Sequence, residues 1–509
     1  MIYAELLKFA APETIIVITA LVVLAADLVA LRELELRFRF IIGGLISCIG
    51  SIAAIAWMLG FPAHANFGHG MLIVDGVIQL VKMGLLVLAI FTILLSVETS
   101  FTSHVGEYLA LILLAAVGMM FLVSSEDILM IFISLELTSL SLYILTAFNK
   151  RNLKSTEAAL KYFLFGGMSA AFTLFGLSLL YGIAHSTNLG EIASAAAQKA
   201  TQFVKSADGT LHRTIDPVFV LAIVMTVIGF GFKVAAVPFH LWAPDAYEGA
   251  PVPSAAFIAS GSKVASFFIF AKVMMVGFAG AEGSGAWRNF AQGWIPVVAI
   301  VAACSMVLGN LAAIVQTSLR RLLAYSAIAH AGYMLLAVLS HSGFSLAALI
   351  YYVITYALTT LGAFGVVSVV QGSSPNEQLT DLAGLNRRAP ILSLCMMVFM
   401  LSLAGIPPLA GFFGKFYLFA SALENGASNL GLLWLVILAL MMSAVSLYYY
   451  LQVLKQIFVA EPRPGASTGR LPALTQLFVS FLAFGVILLG CVPNLLISPL
   501  VQAIKAVGL

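Results

Sequence analysis

Charged residues are scarce in this sequence. Only 9% of its 509 residues are Asp, Glu, Lys or Arg, whereas 61% are hydrophobic, far more than the core of a water-soluble domain requires. The formal net charge of +3 is too small to indicate a nucleic-acid partner. The composition therefore excludes an ordinary soluble domain and favours a chain whose main solvent is lipid.

Cysteine is rarer still. The four cysteines lie far apart in apolar segments, without the paired spacing or neighbouring histidine that an iron–sulfur cluster or a structural zinc site uses: Cys48, Cys304, Cys395 and Cys491. No segment is convincing as a strand, so no glycine-rich dinucleotide-binding turn between a strand and a helix is expected. We therefore expect no metal site and no bound cofactor in this chain, and any redox chemistry to belong to partner proteins.

Long apolar runs dominate what remains. About fourteen of them have the roughly twenty residues that cross a hydrocarbon layer of about 30 Å as a helix. Asp27 and a flank of mixed charge distinguish the first run from a signal peptide, so we expect it to be retained. The sequence thus predicts an all-α polytopic membrane protein whose crossings lie at 12–31, 40–59, 75–97, 107–123, 128–148, 156–184, 217–240, 254–277, 295–316, 322–340, 344–371, 390–423, 431–459 and 471–496.

The connectors differ in their content of basic residues. Those after odd-numbered crossings contain Arg32, Arg37, Arg39, Lys150, Arg151, Lys154, Arg320, Arg321, Arg387, Arg388, Lys455, Arg463 and Arg470. The opposite side has mainly Lys8, Lys199, Lys205, Arg213, Arg288 and Lys505. The positive-inside rule places the first group in the cytoplasm, and an even number of crossings then places both termini on the outer side. The longest polar connector, 185–216, is predicted to be a solvated loop.

Two crossings contain helix breakers beside a lysine. In the seventh, Pro238 crowds the carbonyl of Val234 and cannot donate to it, close to Lys233. The twelfth contains the sequence AGIPP at 404–408, shortly before Lys415. Broken helices within a membrane must face protein or water. One broken helix in each half of the chain indicates a transporter built from inverted repeats.

Helix order gives the domain division. We expect residues 1–106 to form three N-terminal helices, 107–278 the first five-helix repeat, 279–460 a second, inverted five-helix repeat, and 461–509 the last helix. Lys233 precedes its proline, whereas Lys415 follows its own. The repeat is therefore predicted from helix order and breakage, without matched residues.

Several titratable residues fall inside predicted crossings, where an ionisable group costs about 2.5 kcal/mol or more and usually faces a cavity or a partner. Burial disfavours an ammonium and a nearby carboxylate favours it, so a buried lysine can gain and lose a proton. Arginine would hold its proton too tightly to alternate. The candidates for a proton relay are Glu136, Lys161, Lys233, Lys263, His330 and Lys415.

Structural alternatives remain open for these residues. Glu136 could belong to a structural ion pair, and His330 could be a hydrogen-bonded packing residue. Lys161, Lys82 and Lys272 are closer to helix ends, where long side chains reach the interface. Asp245 and Glu248 follow the seventh crossing, where we expect helix caps or loop anchors.

The segment VPFHLWAPDAYEGAP at 237–251, followed by SKV at 262–264, resembles the antiporter-like membrane subunits of respiratory complex I. That superfamily also includes subunits of multisubunit sodium/proton antiporters and of membrane-bound hydrogenases, and the resemblance extends over nearly the whole chain. Three features are similar to the subunit N branch of the NADH:quinone oxidoreductase: the total length, an end soon after the fourteenth crossing, and Lys415 where the M branch has glutamate.

The resemblance implies a proton-translocating subunit. Glu136 and Lys233 would be the input pair, Lys263 the connector and Lys415 the outlet, with His330 carried over only as a central relay candidate. Its partners would be other membrane subunits of complex I and the lipids of the bacterial inner membrane, while NADH, FMN, iron–sulfur clusters and quinone would bind to partner subunits. An independent cation/proton antiporter module and a passive membrane scaffold are the alternatives.

Overall fold

The computed structural model describes residues 2–61, 65–199, 201–205, 211–371, 378–424, 431–462 and 473–507. Arg463, Arg470 and the predicted start of the last crossing at 471 lie outside these residues. The helices are α1 (Ile2–Phe9), α2 (Ala11–Ala26), α3 (Leu36–Gly60), α4 (Gly76–Ser96), α5 (Val105–Ser124), α6 (Ile128–Thr146), α7 (Leu153–Ala184), α8 (Leu189–Lys199), α9 (Pro217–Lys233), α10 (Trp242–Gly249), α11 (Val252–Ala259), α12 (Gly261–Lys272), α13 (Trp294–Ile314), α14 (Leu319–Ser340), α15 (Gly343–Gln371), α16 (Leu385–Arg388), α17 (Pro390–Ala404), α18 (Ala410–Glu424), α19 (Leu433–Phe458), α20 (Ala473–Cys491) and α21 (Asn494–Val507).

The described part of the chain contains twelve helical stretches long and apolar enough to cross a membrane. Two of them end in π-helical segments, because Asp27–Leu31 continues α2 and Val273–Gly277 continues α12. The two remaining predicted crossings, the seventh and the twelfth, are split into shorter helices. The prediction of an all-α polytopic membrane protein with two broken helices is therefore confirmed.

Side-chain caps determine where several crossings begin. Asp75, Asp127, Asn152 and Asp216 each accept a hydrogen bond from a backbone N–H in the first turn of the helix that follows. Such a cap satisfies one of the donors that a helix leaves unpaired at its N-terminus. These polar residues therefore mark the ends of the apolar runs.

The expectation that the chain has no strands is wrong for three connectors. Each contains a two-stranded antiparallel hairpin: β1 (Ala65–Phe67) with β2 (Leu72–Val74), β3 (Thr201–Lys205) with β4 (Leu211–Ile215), and β5 (Ser284–Ala286) with β6 (Asn289–Ala291). The connector 185–216 is correspondingly not an open loop, because it contains α8 as well as β3 and β4. Outside the apolar crossings, short segments pair their own backbone groups with each other. All three hairpins follow even-numbered crossings.

Helices α12, α14 and α15 form the enclosed centre of the molecule. The stretches Val252–Gly277, Leu319–Ser340 and Gly343–Val370 are the most buried of the crossings, whereas α7, α19 and α20 are largely peripheral. The centre is therefore built from the eighth, tenth and eleventh crossings. Lys263 and His330 lie on two of these central helices, and Glu136 and Lys161 lie on the more exposed α6 and α7.

The two breaks have similar local structures. Helix α9 ends at Lys233, and α10 begins only at Trp242, with the N–H of Val237 donating to Ser305 Oγ at 2.9 Å. Helix α17 ends at Ala404, where Gly405 takes a left-handed conformation with φ +86°. Each break contains a cis X-Pro peptide bond, Val237-Pro238 and Pro407-Pro408. Each break leaves helix-terminal carbonyls without an intrahelical donor.

Arg320 was predicted to lie in a solvent-facing connector, but the structure buries it. It is buried in the first turn of α14, where its Nε donates to the carbonyl of Tyr247 at 2.7 Å and its Nη2 donates to that of Ala250. These carbonyls lie at the end of α10, where a cation is favoured by the helix dipole and by unpaired acceptors. The arginine therefore joins α14 to the second half of the seventh crossing.

Candidate functional site

Glu136 and Lys233 approach each other between α6 and α9. Lys233 Nζ lies 3.9 Å from Glu136 Oε1 and donates to Ser139 Oγ at 2.5 Å. Lys233 is the last residue of α9, so the break places its side chain beside α6. The carboxylate balances part of the cost of burying the ammonium, and the serine supplies one acceptor. This ammonium therefore has two partners on a single neighbouring helix.

Lys263 lies on α12 and is 1% exposed. Its Nζ donates to the carbonyl of Ala327 on α14 at 2.7 Å and to that of Val234 at 3.3 Å. Val234 directly follows α9, and its carbonyl is the one to which Pro238 cannot donate. The break in the seventh crossing thus creates an acceptor for a lysine of the eighth.

Lys415 has an equivalent position at the other break. Its Nζ donates to the carbonyls of Leu403 and Ala404 at 3.0 and 3.1 Å and to Ser443 Oγ at 2.8 Å. The two carbonyls terminate α17, where the helix dipole favours a cation. Lys263 and Lys415 are thus both held by carbonyl and hydroxyl dipoles in place of a carboxylate.

His330 lies on α14 between these two lysines and is hydrogen-bonded through both ring nitrogens. Its Nδ1 is 2.6 Å from the Tyr352 hydroxyl, and its Nε2 is 3.0 Å from that of Tyr450. Tyr450 also contacts Ser326 Oγ at 2.5 Å. A hydroxyl both donates and accepts, so each nitrogen faces a group that can exchange a proton with it.

Aromatic rings complete the space between Lys263 and Lys415. Lys263 Nζ lies 5.9 Å from the centre of the Tyr356 ring, which is 5.0 Å from the His330 ring. On the other side, the Tyr333 ring is 5.6 Å from His330, and Lys415 Nζ is 5.1 Å from the centre of that ring. Lys263, His330 and Lys415 therefore lie in one row, and the bond from Lys263 to Val234, the residue after Lys233, joins this row to the Glu136–Lys233 pair. The row thus contains five of the six predicted residues.

Lys161 belongs to a different group of charges. Its Nζ lies 2.8 Å from Asp245 Oδ2 and 2.7 Å from Glu157 Oε1, with 42% of the side chain exposed. Asp245 and Glu248 in turn pair with Arg321 at 2.8 and 3.1 Å. The two acidic residues were expected to be caps or loop anchors; they instead join α10 to α7 and α14 through ion pairs.

Lys82 and Lys272 also differ from lysines that extend towards water. Lys82 is 2% exposed and pairs with Glu13 at 2.6 Å. Lys272 pairs with Glu126 at 2.9 Å. Their position near the ends of predicted helices therefore did not indicate that both lysines form ion pairs inside the protein.

Sequence reasoning missed the hydroxyl groups of the row. They come from Ser139, Tyr333, Tyr352, Tyr356, Ser443 and Tyr450. Two follow a predicted residue by three positions on the same helix, Ser139 after Glu136 and Tyr333 after His330, a spacing that places both side chains on one face. That signal could have identified these two. The tyrosines of α15 and α19 have no such sequence relationship to His330.

Comparison with known proteins gives a consistent assignment. The family model described as NADH:quinone oxidoreductase/Mrp antiporter, TM, matches residues 125–445. NADH-quinone oxidoreductase subunit N 2 of Acidobacterium capsulatum is 51% identical over 503 residues, covering 97% of this chain and 98% of that protein. NAD(P)H-quinone oxidoreductase subunit 2 of Trichodesmium erythraeum is 38% identical over 461 residues, covering 89% of this chain and 81% of that protein.

Solved structures agree. A chain of respiratory complex I from Thermus thermophilus with bound aureothin is 34% identical, with a TM-score of 0.75, covering 96% of this chain and 98% of that one. A chain of the Mrp complex from Dietzia sp. DQ12-45-1b is 19% identical with a TM-score of 0.81, covering 98% of this chain and 97% of that one, and this likeness shows the fold alone. The resemblance predicted from residues 237–251 and 262–264 is confirmed. The chain belongs to the NADH:quinone oxidoreductase/Mrp antiporter family of membrane subunits, and within that family it is similar to subunit N of NADH-quinone oxidoreductase.

Proposed function

We propose that this chain is a proton-translocating membrane subunit of a complex I-type NADH:quinone oxidoreductase. The observation that carries the proposal is the row of buried groups across the two broken helices, with Lys263 and Lys415 each bonded to carbonyls that a break has freed. Ionisable groups buried at this cost are usually functional. The chain takes no part in electron transfer itself, and NADH, FMN, iron–sulfur clusters and quinone belong to partner subunits.

Transfer begins at the Glu136–Lys233 pair. A signal from the quinone-reducing part of the assembly separates the two side chains, and the loss of the nearby carboxylate disfavours the Lys233 ammonium. Lys233 then releases one proton, which water carries to Lys263. Lys263 takes this proton up as its own proton passes through His330 and the tyrosine hydroxyls to Lys415, and Lys415 takes that proton up as it releases its own to the outer side. Lys161, held on α7 by Asp245 and Glu157 outside the row, is a further site that can take up a proton.

The surface of α6 supports a partner subunit at the input pair. Leu129, Ile133, Leu140 and Ile144 form an exposed apolar stripe, and the 28% exposed side chain of Glu136 lies within it at helical spacing. Lipid tails offer a carboxylate no hydrogen bonds. Another membrane subunit of the complex therefore covers this face, where it can act directly on the pair.

Orientation and repeats complete the proposal. The basic connectors lie in the cytoplasm of a bacterial cell, so both termini and the three hairpins lie on the outer side of the inner membrane. Residues 107–278 and 279–460 form the two inverted repeats. The position of the breaks supports this division, because each falls in the fourth crossing of its five. Residues 1–106 and 461–509 flank the repeats.

The test is coupled pumping by the assembled complex in vesicles. Lys233→Ala and Glu136→Ala should leave the complex assembled but abolish proton transfer driven by NADH oxidation. Lys150→Ala is the matched control, because Lys150 is an exposed connector lysine that should not affect pumping. Undiminished pumping in both relay variants would refute the relay and favour a passive scaffold.

A cation/proton antiporter is the remaining alternative, favoured by the fold shared with the Mrp complex chain. It predicts sodium-dependent proton exchange in vesicles without NADH oxidation. The proposed function predicts no such exchange, together with co-purification of this chain with NADH-oxidising flavin and iron–sulfur subunits.

A further inference from the structure

A second buried lysine–carboxylate pair lies outside the row. Glu13, in the first turn of α2, and Lys82, on α4, are 1% and 2% exposed, and their charged atoms are 2.6 Å apart. Lys82 is seven residues beyond Asp75, the cap of α4, which is about 10 Å of helix. The pair is therefore buried about two turns from the end of α4 at which the chain termini lie.

A cavity of about 150 Å³ reaches Lys82, the partner of Glu13. Its lining includes Lys82 and Gln79 on α4, Lys8 on α1, and Trp57 and Phe61 at the C-terminal end of α3. A volume of that size has room for several water molecules. Lys8 is exposed, so the cavity extends from the surface to the buried ammonium.

The Asp27–Arg39 pair shows what a fixed ion pair looks like in this chain. Asp27 accepts from Arg39 Nε and Nη2 at 2.8 and 2.6 Å and from the N–H of Gly106 at 2.8 Å. Glu13, in contrast, has Lys82 as its ion-pair partner, and neither of its oxygens has a hydrogen bond among the described residues. So few partners offset only part of the cost of burying these two charges, and protonation of Glu13 would remove one of them.

From these observations we propose that Glu13 and Lys82 form a proton-binding site, separate from the relay, that exchanges protons through this cavity with the outer aqueous phase. In the loaded form one proton from water is bound to the Glu13 carboxylate, and the Lys82 ammonium turns towards the cavity. In the unloaded form the proton has returned to water and the ion pair is restored.

Other charges leave this site undisturbed. Asp75 accepts from the N–H of Ile78, and Lys272 pairs with Glu126. Both acidic residues and Lys272 line a different cavity. Several helices that pack against the pair have titratable groups near their middle: Cys48 on α3, Lys263 on α12, and Tyr351, Tyr352 and Tyr356 on α15. On α5, Glu107 and Tyr108 lie at the end of the helix opposite the pair. The titratable groups on α20 and α21 are Cys491 and Lys505. Among the described residues, Lys8 is the only other charged residue in the lining besides Lys82, and Glu13 already neutralises Lys82.

Side-specific labelling of the assembled complex tests the access route. In Glu13→Gln/Lys82→Cys, which removes both charges together, a membrane-impermeant thiol reagent should react only from the side that labels Trp287→Cys, in the β5–β6 turn. Arg151→Cys marks the other side of the membrane, and the unsubstituted chain gives the background labelling of the native cysteines. Val81→Cys is the control for burial. It lies on the same helix but away from the cavity, so it should stay unlabelled. Labelling of position 82 from neither side, or from the Arg151 side, would overturn the proposal.

Infrared difference spectra on acidification test proton binding itself. A protonated-carboxyl band should appear in the unsubstituted complex, be lost in Glu13→Gln, and persist in Glu136→Gln and Asp27→Asn. In Lys82→Met the Glu13 proton should stay bound across the titration, so the pH dependence of the band disappears. An unchanged band in correctly assembled Glu13→Gln would refute the site, and would leave the relay unaffected because Glu136 and Lys233 take no part in it.

Discussion

Lys233 Nζ lies 3.9 Å from Glu136 Oε1, at the point where α9 ends and the seventh crossing is broken. The distance is at the outer limit of an ion pair, and the same ammonium is closer to Ser139 Oγ, at 2.5 Å. A rotation of the Glu136 side chain therefore changes the carboxylate contact while Ser139, on the same helix, still holds the lysine. This is the property that a switchable input pair needs.

The pair predicts a difference between charge and proton release. Lys233→Arg keeps a cation beside Glu136, so the complex should assemble, but pumping should fail because arginine does not release its proton at physiological pH. The measurement is NADH-driven acidification in vesicles, with NADH oxidation by uncoupled membranes as the control for assembly. Normal pumping by the arginine variant would show that proton release from this position is not required.

Lys415 has both a structural and a proposed transfer role, and two substitutions separate them. Lys415→Met removes the donor to the Leu403 and Ala404 carbonyls, so we expect a loss of about 1–3 kcal/mol in the free energy of unfolding for each carbonyl left unpaired. Lys415→Arg keeps donors at this helix end and should retain more stability than Lys415→Met while still failing to pump. Thermal unfolding of the purified complex and vesicle pumping give the two readouts.

Tyr352 is held against His330 by close packing around Gly414. A Cβ at position 414 would overlap the Tyr352 ring, so Gly414→Ala should displace this tyrosine and weaken its 2.6 Å contact with His330. The expected cost is about 1–3 kcal/mol of stability, with reduced pumping. Gly485→Ala is the matched control, because a Cβ there would meet nothing within 4 Å. Equal behaviour of the two alanine variants in unfolding temperature and pumping would contradict this arrangement.

Asp245 predicts a salt-dependent contribution from the Lys161 group. Asp245→Asn weakens contacts to both Lys161 and Arg321, and partly exposed ion pairs contribute about 0.2–1 kcal/mol each. We expect a small fall in unfolding temperature at low salt that diminishes at high salt, because screening already weakens these pairs in the unsubstituted protein. Glu157→Gln, which affects Lys161 alone, should have about half the effect. A fall that is independent of salt would mean that packing, and not charge, is lost.

Local patterns in the sequence were sufficient for the helices and their breaks. The length and apolarity of each run predict a crossing, and the prolines at 238 and 407–408 predict the two interruptions, because a missing N–H acts within one turn of the chain. The same local chemistry indicated that Lys233, Lys263 and Lys415 are costly to bury. The hairpins were missed because pairing in short polar connectors leaves no comparable periodic signal.

What only the tertiary structure decided is which groups meet. Lys263 bonds to Val234 and Ala327, residues 29 and 64 positions away, and His330 meets Tyr450 at a separation of 120 residues. The sequence by itself determined that ionisable side chains enter the membrane, since hydrophobicity and helix breakage are properties of neighbouring residues. Their order in a row, and the separation of Lys161 and of Glu13–Lys82 from it, depend on how distant helices pack, because side-chain partners within lipid are set by interhelical contacts that no local pattern specifies.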